Sequence, residues 1–336
     1  MKPEQLLCPK PEGLYCAPGD FYIDPVKPVA RAVITHGHSD HARGGHGAVL
    51  ATPETLDIMR ERYGAEHAQA QQAAAYGEVV NRDGVEIWFA PAGHVLGSAQ
   101  AVVQYDGVRI VVSGDYKRTP DPTCPAFEPV PCDVFVTEAT FGLPVFTWDD
   151  PDAAIARLLE SVRQFPERSH LIGAYALGKA QRLIRMLRLA GWERPIYVHG
   201  ALEKLNALYE RHGIDLGPLS PATTTRKSGG LAGEIVVGPP SAVQDRWGRR
   251  FADPVTCFAS GWMRVKSRAR LRGVELPLVL SDHCDWPELT RTIAEVSPGE
   301  VWVTHGREEG LLRWCELNGY AARALALVGY EDDDFE

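Results

Sequence analysis

Thr35-His36-Gly37-His38-Ser39-Asp40-His41 places three imidazoles and one carboxylate within one short loop, directly after the apolar run at residues 29–34. Imidazole and carboxylate groups together suit zinc, and the same ligands also bind manganese or iron. Four such side chains exceed what one tetrahedral ion takes from a single segment. The spacing therefore predicts two cations, the first two histidines serving one, and the aspartate with the last histidine serving the other. The alternative is a surface loop that is merely rich in histidine.

The composition is that of an ordinary globular protein, with 336 residues, 45% hydrophobic and 24% charged. The net charge of -9 disfavours a purely electrostatic nucleic-acid binder, but bound cations would neutralise ligand carboxylates, so charge does not decide the substrate. The seven cysteines form no CxxC pair, which favours reduced thiols and a cytoplasmic location. Because no run reaches the roughly 20 apolar residues of a membrane span and no secretory h-region is present, we expect no membrane association. The acidic tail 331–336 is expected to be solvated.

Short apolar runs repeatedly stop at a potential ligand or acid, often beside a glycine that allows a sharp turn. The runs are 21–23, 85–89, 108–112, 134–137, 276–280 and 300–304, and the polar residues that follow them are Asp24, His94, Asp115, Glu138, His283 and His305. A sheet that aligns these strands would gather the polar groups at one edge, where ligands bind in α/β proteins. An isolated Asp or His after a strand can also be a turn former or a packing residue, so the recurrence is the evidence.

The pattern changes at about residue 147 and returns after about residue 262. In between, strand-like and helical runs alternate as β-α-β units, which predicts a separate α/β module. We therefore predict residues 1–146 and 263–336 as one domain, with residues 147–262 inserted into it. Lys179, at the start of a helix, could contact a phosphate or only cap the helix. His199, which also follows a strand in this module, is interpreted as structural.

Arg264, Lys266, Arg268, Arg270 and Arg272 occupy alternate positions. In an extended strand all five side chains would point to one face, where they could contact a phosphate backbone without reading sequence. The alternative is a solvated edge strand guarded by charge. A helical conformation would spread the charges and weaken the phosphate-contact hypothesis.

The whole set of motifs resembles the metallo-β-lactamase fold and, more narrowly, its β-CASP nuclease branch. The resemblance is carried by HxHxDH at 36–41, AGHVLGS at 92–98, SGD at 113–115, TEATFG at 137–142, ALGKAQ at 176–181, SDH at 281–283 and HG at 305–306. These motifs span nearly the whole chain in the family's order. The short inserted module and the FASGWM junction at 258–263 are most similar to the bacterial ligase-associated DNA exonucleases. The resemblance implies an αββα sandwich with an inserted compact β-CASP α/β domain.

The resemblance also implies a role for each matching position. One divalent metal ion would take His36, His38 and His94, and the other would take Asp40, His41 and His305, with Asp115 bridging both. Asp24 would orient a ligand imidazole. His283 would act as general acid, with its protonated form favoured by Glu138. Asp40 and Asp115 would also serve catalysis through the metals, and Ser260, Lys179, Arg264, Lys266 and Arg268 would contact the substrate.

The leading hypothesis is a metal-dependent DNA exonuclease, in which two ions, zinc or alternatively manganese, activate a water that hydrolyses phosphodiester bonds. It would trim single-stranded DNA from the 5′ end in DNA repair, in functional association with a DNA ligase and a helicase. A β-CASP ribonuclease for RNA processing is the alternative. A small-molecule hydrolase such as a lactonase would fit the HxHxDH loop alone, but the inserted module, Glu138 and His283 argue against it. A catalytically silent scaffold is disfavoured because no ligand position is lost.

Overall fold

The computed structural model describes residues 1–223 and 231–325, so the acidic tail 331–336 lies outside the described part. Its internal contacts divide the described chain into two units. The first comprises residues 1–147 and 283–325, and the second comprises residues 148–282. No helix among the described residues is both long enough and apolar enough to cross a membrane.

The first unit begins with a six-stranded sheet that carries the histidine-rich loop. Its elements are α1 (Pro3–Leu6), β1 (Leu7–Lys10), β2 (Gly13–Cys16), β3 (Phe21–Ile23), β4 (Arg31–Val33), β5 (His46–Ala51), α2 (Pro53–Tyr63) and β6 (Ala68–Ala73). The strands lie in chain order from β1 to β6. Because β3 and β4 are parallel neighbours, Asp24 and the loop that starts at Thr35 leave the sheet at the same edge. Thr52 caps α2 by accepting the Thr55 amide, and Pro53 occupies the first helical position.

The second sheet of this unit continues the chain through β7 (Val80–Arg82), β8 (Val85–Pro91), β9 (Ala99–Tyr105), β10 (Val108–Val112) and β11 (Val134–Ala139). β8, β9 and β10 form an antiparallel meander. β10 and β11 are parallel, so Asp115 after β10 and Glu138 near the end of β11 are delivered to one edge.

The second unit is an α/β module, as the alternation of β-α-β units predicts. Its elements are α3 (Pro151–Gln164), β12 (His170–Gly173), α4 (Lys179–Leu189), β13 (Ile196–Val198), α5 (Gly200–Arg211), β14 (Leu219–Pro221), β15 (Ile235–Gly238), α6 (Pro240–Gln244), β16 (Val255–Ala259), α7 (Lys266–Leu271) and β17 (Leu276–Leu278). All the pairings are parallel, in the order β14-β13-β15-β12-β16-β17. Because β17 pairs with β16, residues 263–282 belong to this unit, beyond the boundary at 262 expected from the sequence.

The basic segment that follows β16 is helical, which is the conformation that weakens the phosphate-contact hypothesis. A 3-10 turn covers Gly261–Arg264 and α7 covers Lys266–Leu271. The cause is local, since Lys, Arg, Ala and Leu are all strong helix formers and Ser260 caps the turn. On a helix, residues four apart share a face, so Lys266 lies with Arg270 and Arg268 with Arg272, and the five do not form one cationic face.

The chain then returns to the first unit with α8 (Trp286–Val296), β18 (Glu300–Gly306), α9 (Glu308–Leu317) and β19 (Ala321–Ala324). The complete second sheet has the order β19-β18-β11-β10-β9-β8-β7. β18 is parallel to β11, which in turn is parallel to β10. His305 on β18 therefore reaches the same sheet edge as Asp115 and Glu138.

The buried residues of the first unit form three layers of apolar contact. Alternate residues such as Val33 and Val112 from the two sheets pack together in the centre. Their neighbours Ala32 and Ile34 turn outward to α2, while Val111 and Phe135 turn outward to α8 and α9. Such alternation is the period of two of a strand whose faces are both covered. The first unit is therefore an αββα sandwich, and the predicted α/β fold class is confirmed.

Candidate metal centre

Four of the predicted ligands form a compact group at the edge of the sandwich. The ligand atoms of His36, His38, His94 and Asp115 all lie within 4.8 Å of one another. His38 Nδ1 lies 3.2 Å from His36 Nε2 and 3.0 Å from His94 Nε2. Asp115 Oδ2 lies 3.4 Å from His36 Nε2 and 3.7 Å from His94 Nε2.

A second group shares the same aspartate. The ligand atoms of His41, Asp115 and His305 also lie within 4.8 Å of one another. His305 Nε2 is 3.1 Å from Asp115 Oδ1, whereas His41 Nε2 is 3.5 Å from Asp115 Oδ2. Asp115 thus joins the two groups, and Asp40 Oδ2 lies beside the second one, 3.4 Å from His41 Nε2.

Without cations, this cluster has strongly shifted acidities. Burial opposes ionisation of both carboxyls, but the imidazoles, with His41 foremost, lower the pKa of Asp40 to about 2 and hold the pKa of Asp115 well below its usual value. Burial, followed by the charge of His41, lowers the pKa of His36. The pKa of His41 is raised in spite of burial, because Asp40, Asp115 and Asp24 surround it. The carboxyl groups of the half-buried Asp40 and the buried Asp115 are therefore held as carboxylates.

Asp24 fixes the histidine-rich loop through contacts with Thr35 and His41. It adopts a left-handed backbone conformation, with φ of 44°, at the end of β3. Its Oδ1 accepts the Thr35 amide at 2.8 Å, and its Oδ2 accepts the Thr35 hydroxyl at 2.6 Å. The same Oδ2 lies 2.8 Å from His41 Nδ1, which leaves His41 Nε2 directed toward Asp115. This is the carboxylate–imidazole contact that commonly orients metal-binding histidines.

Glu138 and His283 form a buried pair next to the cluster. His283 Nδ1 lies 2.9 Å from Glu138 Oε2. The glutamate also accepts the Tyr116 amide at 2.8 Å and the Thr140 hydroxyl at 2.5 Å. Since all these groups converge on the carboxylate, it is an acceptor and His283 Nδ1 is a donor. The ligand atoms of this pair lie within 4.8 Å of Asp115, so the pair adjoins the centre.

Four of the residues predicted to contact substrate, Lys179, Ser260, Arg264 and Arg268, have contacts within the second unit. Lys179 is buried, with its ammonium 2.9 Å from Asp282 Oδ1 and over the ring of Tyr175. Ser260 is buried and its hydroxyl accepts the Trp262 amide. Arg268 stacks on the ring of Trp262, and Arg264 pairs with Asp149 at the surface, while Lys266 is exposed. The buried contacts leave Lys179 and Ser260 enclosed within this unit.

Several residues of the centre escape the sequence analysis. Thr35, Thr140 and Thr304 each place a hydroxyl on a predicted ligand or acid, and Lys117, which is 2% exposed, directs its ammonium at the His283 carbonyl. Threonine is common in strands for packing reasons, so these positions carry little chemical signal. One signal was available, because Thr-His-Gly occurs at 35–37 and again at 304–306.

The cluster fits divalent cations by the chemistry of its donors. Nitrogen atoms of neutral imidazoles that approach to 3.0–3.2 Å cannot all donate protons to one another, whereas a cation accepts all their lone pairs. A mixed set of imidazole and carboxylate ligands suits zinc, manganese or iron. The His/Asp groups thus indicate divalent metal binding.

Comparison with known proteins agrees with this geometry. Residues 24–163 match the model of the metallo-beta-lactamase superfamily. A "Probable DNA ligase" of Opitutus terrae is 26% identical over 90% of this chain and 30% of its own length. The "Cleavage and polyadenylation specificity factor subunit 3-I" of Arabidopsis thaliana is 23% identical over 71% of this chain and 41% of its own length. The chain thus spans less than half the length of either relative.

Two further matches bear on the fold and on the first part of the chain. An "Endoribonuclease ysh1" of Emericella nidulans is 36% identical over 35% of this chain and 13% of its own length. A solved structure of an Enterococcus faecalis protein of unknown function has a TM-score of 0.59 at 13% identity, covering 89% of this chain and 80% of its own, which shows the fold alone. Together with the αββα sandwich and the His/Asp cluster, the match over residues 24–163 shows a metallo-β-lactamase superfamily domain in that part of the chain, and the named relatives are consistent with the β-CASP nuclease branch.

Proposed function

We propose that the chain is a metal-dependent DNA exonuclease that trims single-stranded DNA from the 5′ end. The observation that carries the proposal is the surroundings of Asp115. Four imidazole Nε2 atoms lie within 3.7 Å of its carboxylate, and the Glu138–His283 pair lies beside it. Phosphodiester hydrolysis asks for this combination, because negative charge must be stabilised and the leaving oxygen must be protonated. We propose a cytoplasmic role in DNA repair, in association with a DNA ligase and a helicase.

Two cations, zinc or alternatively manganese, would be held by the two groups that share Asp115. His36, His38 and His94 would hold one, and Asp40, His41 and His305 would hold the other. When bound, the cations supply Lewis-acid polarisation of a phosphoryl oxygen and an acidified water as nucleophile. Asp24 keeps His41 Nε2 directed at this centre through the contact at Nδ1.

His283 supplies the proton for the leaving oxygen in this proposal. Its Nδ1–H is engaged by Glu138, so Nε2 is the nitrogen that can deliver a proton. As the P–O bond breaks, that proton passes to the departing oxygen and the imidazole becomes neutral. Glu138 stabilises the imidazolium before transfer, and the Thr140 hydroxyl and Tyr116 amide hold Glu138 in place.

DNA as the substrate is supported by the relative named as a probable DNA ligase, because that match covers 90% of this chain. RNA is the second candidate, supported by the relative named as an endoribonuclease, which matches 35% of this chain at higher identity. In either case the exposed Lys266 and the surface Arg264 and Arg268 are proposed as sequence-independent phosphate contacts.

The proposal can be tested in one gel with matched DNA and RNA oligonucleotides of one sequence. Each is labelled at either end and is used with and without a 5′-phosphate. We expect the 5′-labelled single-stranded DNA to release its label as short products first, with activity abolished by EDTA and restored by Zn²⁺ or Mn²⁺. Preferential RNA cleavage would establish the ribonuclease instead. Cleavage of a lactone but no oligonucleotide would indicate a small-molecule hydrolase, and metal-free protein by elemental analysis would indicate a scaffold.

A further inference from the structure

The tripeptide Thr-His-Gly occurs at both groups of the metal centre. It follows β4 as residues 35–37 and it ends β18 as residues 304–306. In both copies the threonine hydroxyl contacts Nδ1 of the next residue. Thr35 Oγ1 lies 3.1 Å from His36 Nδ1, and Thr304 Oγ1 lies 2.9 Å from His305 Nδ1. Thr35 is fully buried and Thr304 is 7% exposed, so these contacts are sheltered from water.

Which atom donates between Thr35 Oγ1 and His36 Nδ1 follows from the second partner of the Thr35 hydroxyl, which is Asp24. Thr35 Oγ1 is 2.6 Å from Asp24 Oδ2. That carboxylate also receives the Thr35 amide and His41 Nδ1, so it acts as an acceptor. A hydroxyl has one proton to donate, and here Asp24 takes it. Thr35 must therefore accept from His36, which places the imidazole proton on Nδ1.

The same reasoning applies at the second copy. Thr304 Oγ1 donates to the backbone carbonyl of Thr137 at 3.4 Å, and a carbonyl oxygen can only accept. The Thr304 lone pair then accepts from His305 Nδ1, so the proton again lies on Nδ1. His305 Nε2 faces Asp115 Oδ1 at 3.1 Å, a contact that needs a proton on Nε2 when no cation is bound and that a bound cation would replace.

Two glycines with positive φ leave room for the two contacts between threonine and histidine. Gly114, just before Asp115, has φ of 54°, and a Cβ there would lie 2.7 Å from Thr35 Oγ1. Gly306 has φ of 101°, and a Cβ there would lie 2.3 Å from the Ala139 carbonyl carbon. A side chain at position 114 would displace Thr35. A side chain at position 306 would displace the backbone next to His305 from Ala139.

We propose that Thr35 and Thr304 are positioning residues that fix His36 and His305 as Nδ1–H tautomers, so that Nε2 is presented to a divalent cation. The inference rests on the metal centre of the proposed function and not on its substrate. His41 reaches the same state through Asp24, whereas His38 differs, because its Nδ1 is the atom that faces His36 and His94. One threonine thus serves each cation group.

The tautomers can be read directly by long-range ¹H–¹⁵N NMR of histidine-labelled, Zn²⁺-loaded protein, because without a cation the Asp115 carboxylate itself favours a proton on His305 Nε2. In the wild type we expect His36 and His305 to carry the proton on Nδ1. In Thr304→Val, His305 loses its acceptor and should populate the other tautomer, while Thr304→Ser should restore the wild-type spectrum. Thr35→Val and Thr35→Ser should behave in the same way at His36.

Metal affinity gives the second readout, measured by competition of Zn²⁺ between protein and a chromophoric chelator. We expect each valine variant to bind one cation about 10- to 100-fold more weakly, the range seen when an orienting partner of a ligand is removed. Each serine variant should bind within a few-fold of the wild type. Thr123→Val is the matched control, since it removes a buried hydroxyl of the same unit that bonds Asp121 rather than an imidazole.

A valine variant with the wild-type tautomer and the wild-type affinity would overturn the inference. Serine variants that lose as much affinity as the valine variants would also overturn it, because they would show that the hydroxyl is not the active feature. If the wild type binds no divalent cation, the metal centre of the proposed function fails. If the wild type binds Zn²⁺ but cleaves no nucleic acid, only the substrate of the proposed function fails, and the tautomers of the loaded protein still decide the assignment of the two hydroxyls.

Discussion

His283 is the residue at which the proposed chemistry is most directly testable. Its Nδ1 is held by Glu138, so His283→Ala removes the proton donor without removing any of the seven proposed metal ligands. We expect the turnover of a DNA oligonucleotide to fall about 10²- to 10⁴-fold, the usual size of general acid catalysis. A p-nitrophenyl phosphodiester, whose leaving group departs without a proton, should be cleaved at close to the wild-type rate. Steady-state kinetics on both substrates measure the difference.

His67→Ala controls for the loss of a buried imidazole elsewhere in the same unit, and it should leave the two rates in the wild-type ratio. An equal loss on both substrates in His283→Ala would mean that the residue serves the metal centre and not the leaving group. Retained cleavage of the oligonucleotide would show that another group is the acid.

Asp115 is the residue on which both cation groups depend. Asp115→Asn removes the shared negative charge, so we expect the variant to lose both cations, each by more than about 100-fold in affinity. His38→Ala should weaken only one, because His38 contacts His36 and His94 but belongs to no group with His305. Elemental analysis after dialysis against a weak chelator measures the stoichiometry. Two retained cations in Asp115→Asn would contradict the bridging role.

The residues found from sequence and those missed differ in their chemistry. Histidine and aspartate at the ends of apolar strands are distinctive, and all seven predicted metal ligands lie within the cluster or at its edge. Thr35, Thr140 and Thr304 are β-branched residues at strand ends, where packing alone explains a threonine. Their hydroxyl contacts depend on the register between β4, β11 and β18, which no single stretch of sequence specifies.

At the scale of elements, five of the apolar runs predicted to end in a ligand or acid are strands of the sandwich, namely β3, β8, β10, β11 and β18. At α7 the sequence pattern left an extended and a helical conformation open, and the structure has the helix. Alternation of basic and other residues has the period of a strand, but the alternate positions hold Val265, Ser267, Ala269 and Leu271 without a buried face to fill. Only Ala269 is buried, so an extended strand would gain little burial of apolar surface here. The helix propensity of these residues therefore determines the conformation.

The contact between His170 on β12 and Ser161 on α3 predicts that the stability of the second unit depends on pH. His170 on β12 is fully buried, its Nε2 lies 2.8 Å from Ser161 Oγ, and burial lowers its pKa to about 4. Above about pH 6.5 the imidazole is neutral in both folded and unfolded chains, and its contribution to stability is complete. As the pH falls from about 6.5 to about 4, only the unfolded chain gains a proton, and up to about 3 kcal/mol of stability is lost.

Urea unfolding followed at several pH values measures this loss. We expect His170→Gln, which keeps a polar group but cannot titrate, to have a smaller dependence of unfolding free energy on pH across that window. Identical pH dependence in the variant and the wild type would show that His170 does not titrate on unfolding. His212→Gln is a matched control in the same unit, because His212 is not enclosed in the core.

At the scale of the whole molecule, the order of motifs sufficed for the fold class, because each strand that ends in a ligand had to align with the others. The extent of the inserted module was harder to predict. Residues 276–280 were predicted as a ligand-ended strand of the first domain, yet β17 pairs with β16 of the second unit, and only His283 onward belongs to the first. An apolar run that could add a parallel strand to either sheet does not indicate which of the two sheets it joins.

The stability of the folded chain should depend on bound metal, because the ligands converge only when β4, β8, β10 and β18 are in place. A cation that binds the native state alone adds RT ln(1 + [L]/Kd), about 2.7 kcal/mol at 100 times Kd. We therefore expect EDTA to lower the unfolding midpoint of the wild type and Zn²⁺ to restore it. Asp115→Asn should unfold at one midpoint under both conditions, whereas His170→Gln should keep the full metal-dependent shift, since its imidazole lies in the core of the second unit. Differential scanning calorimetry measures the shift, and a wild-type midpoint that ignores EDTA would mean that the native cluster holds no divalent cation.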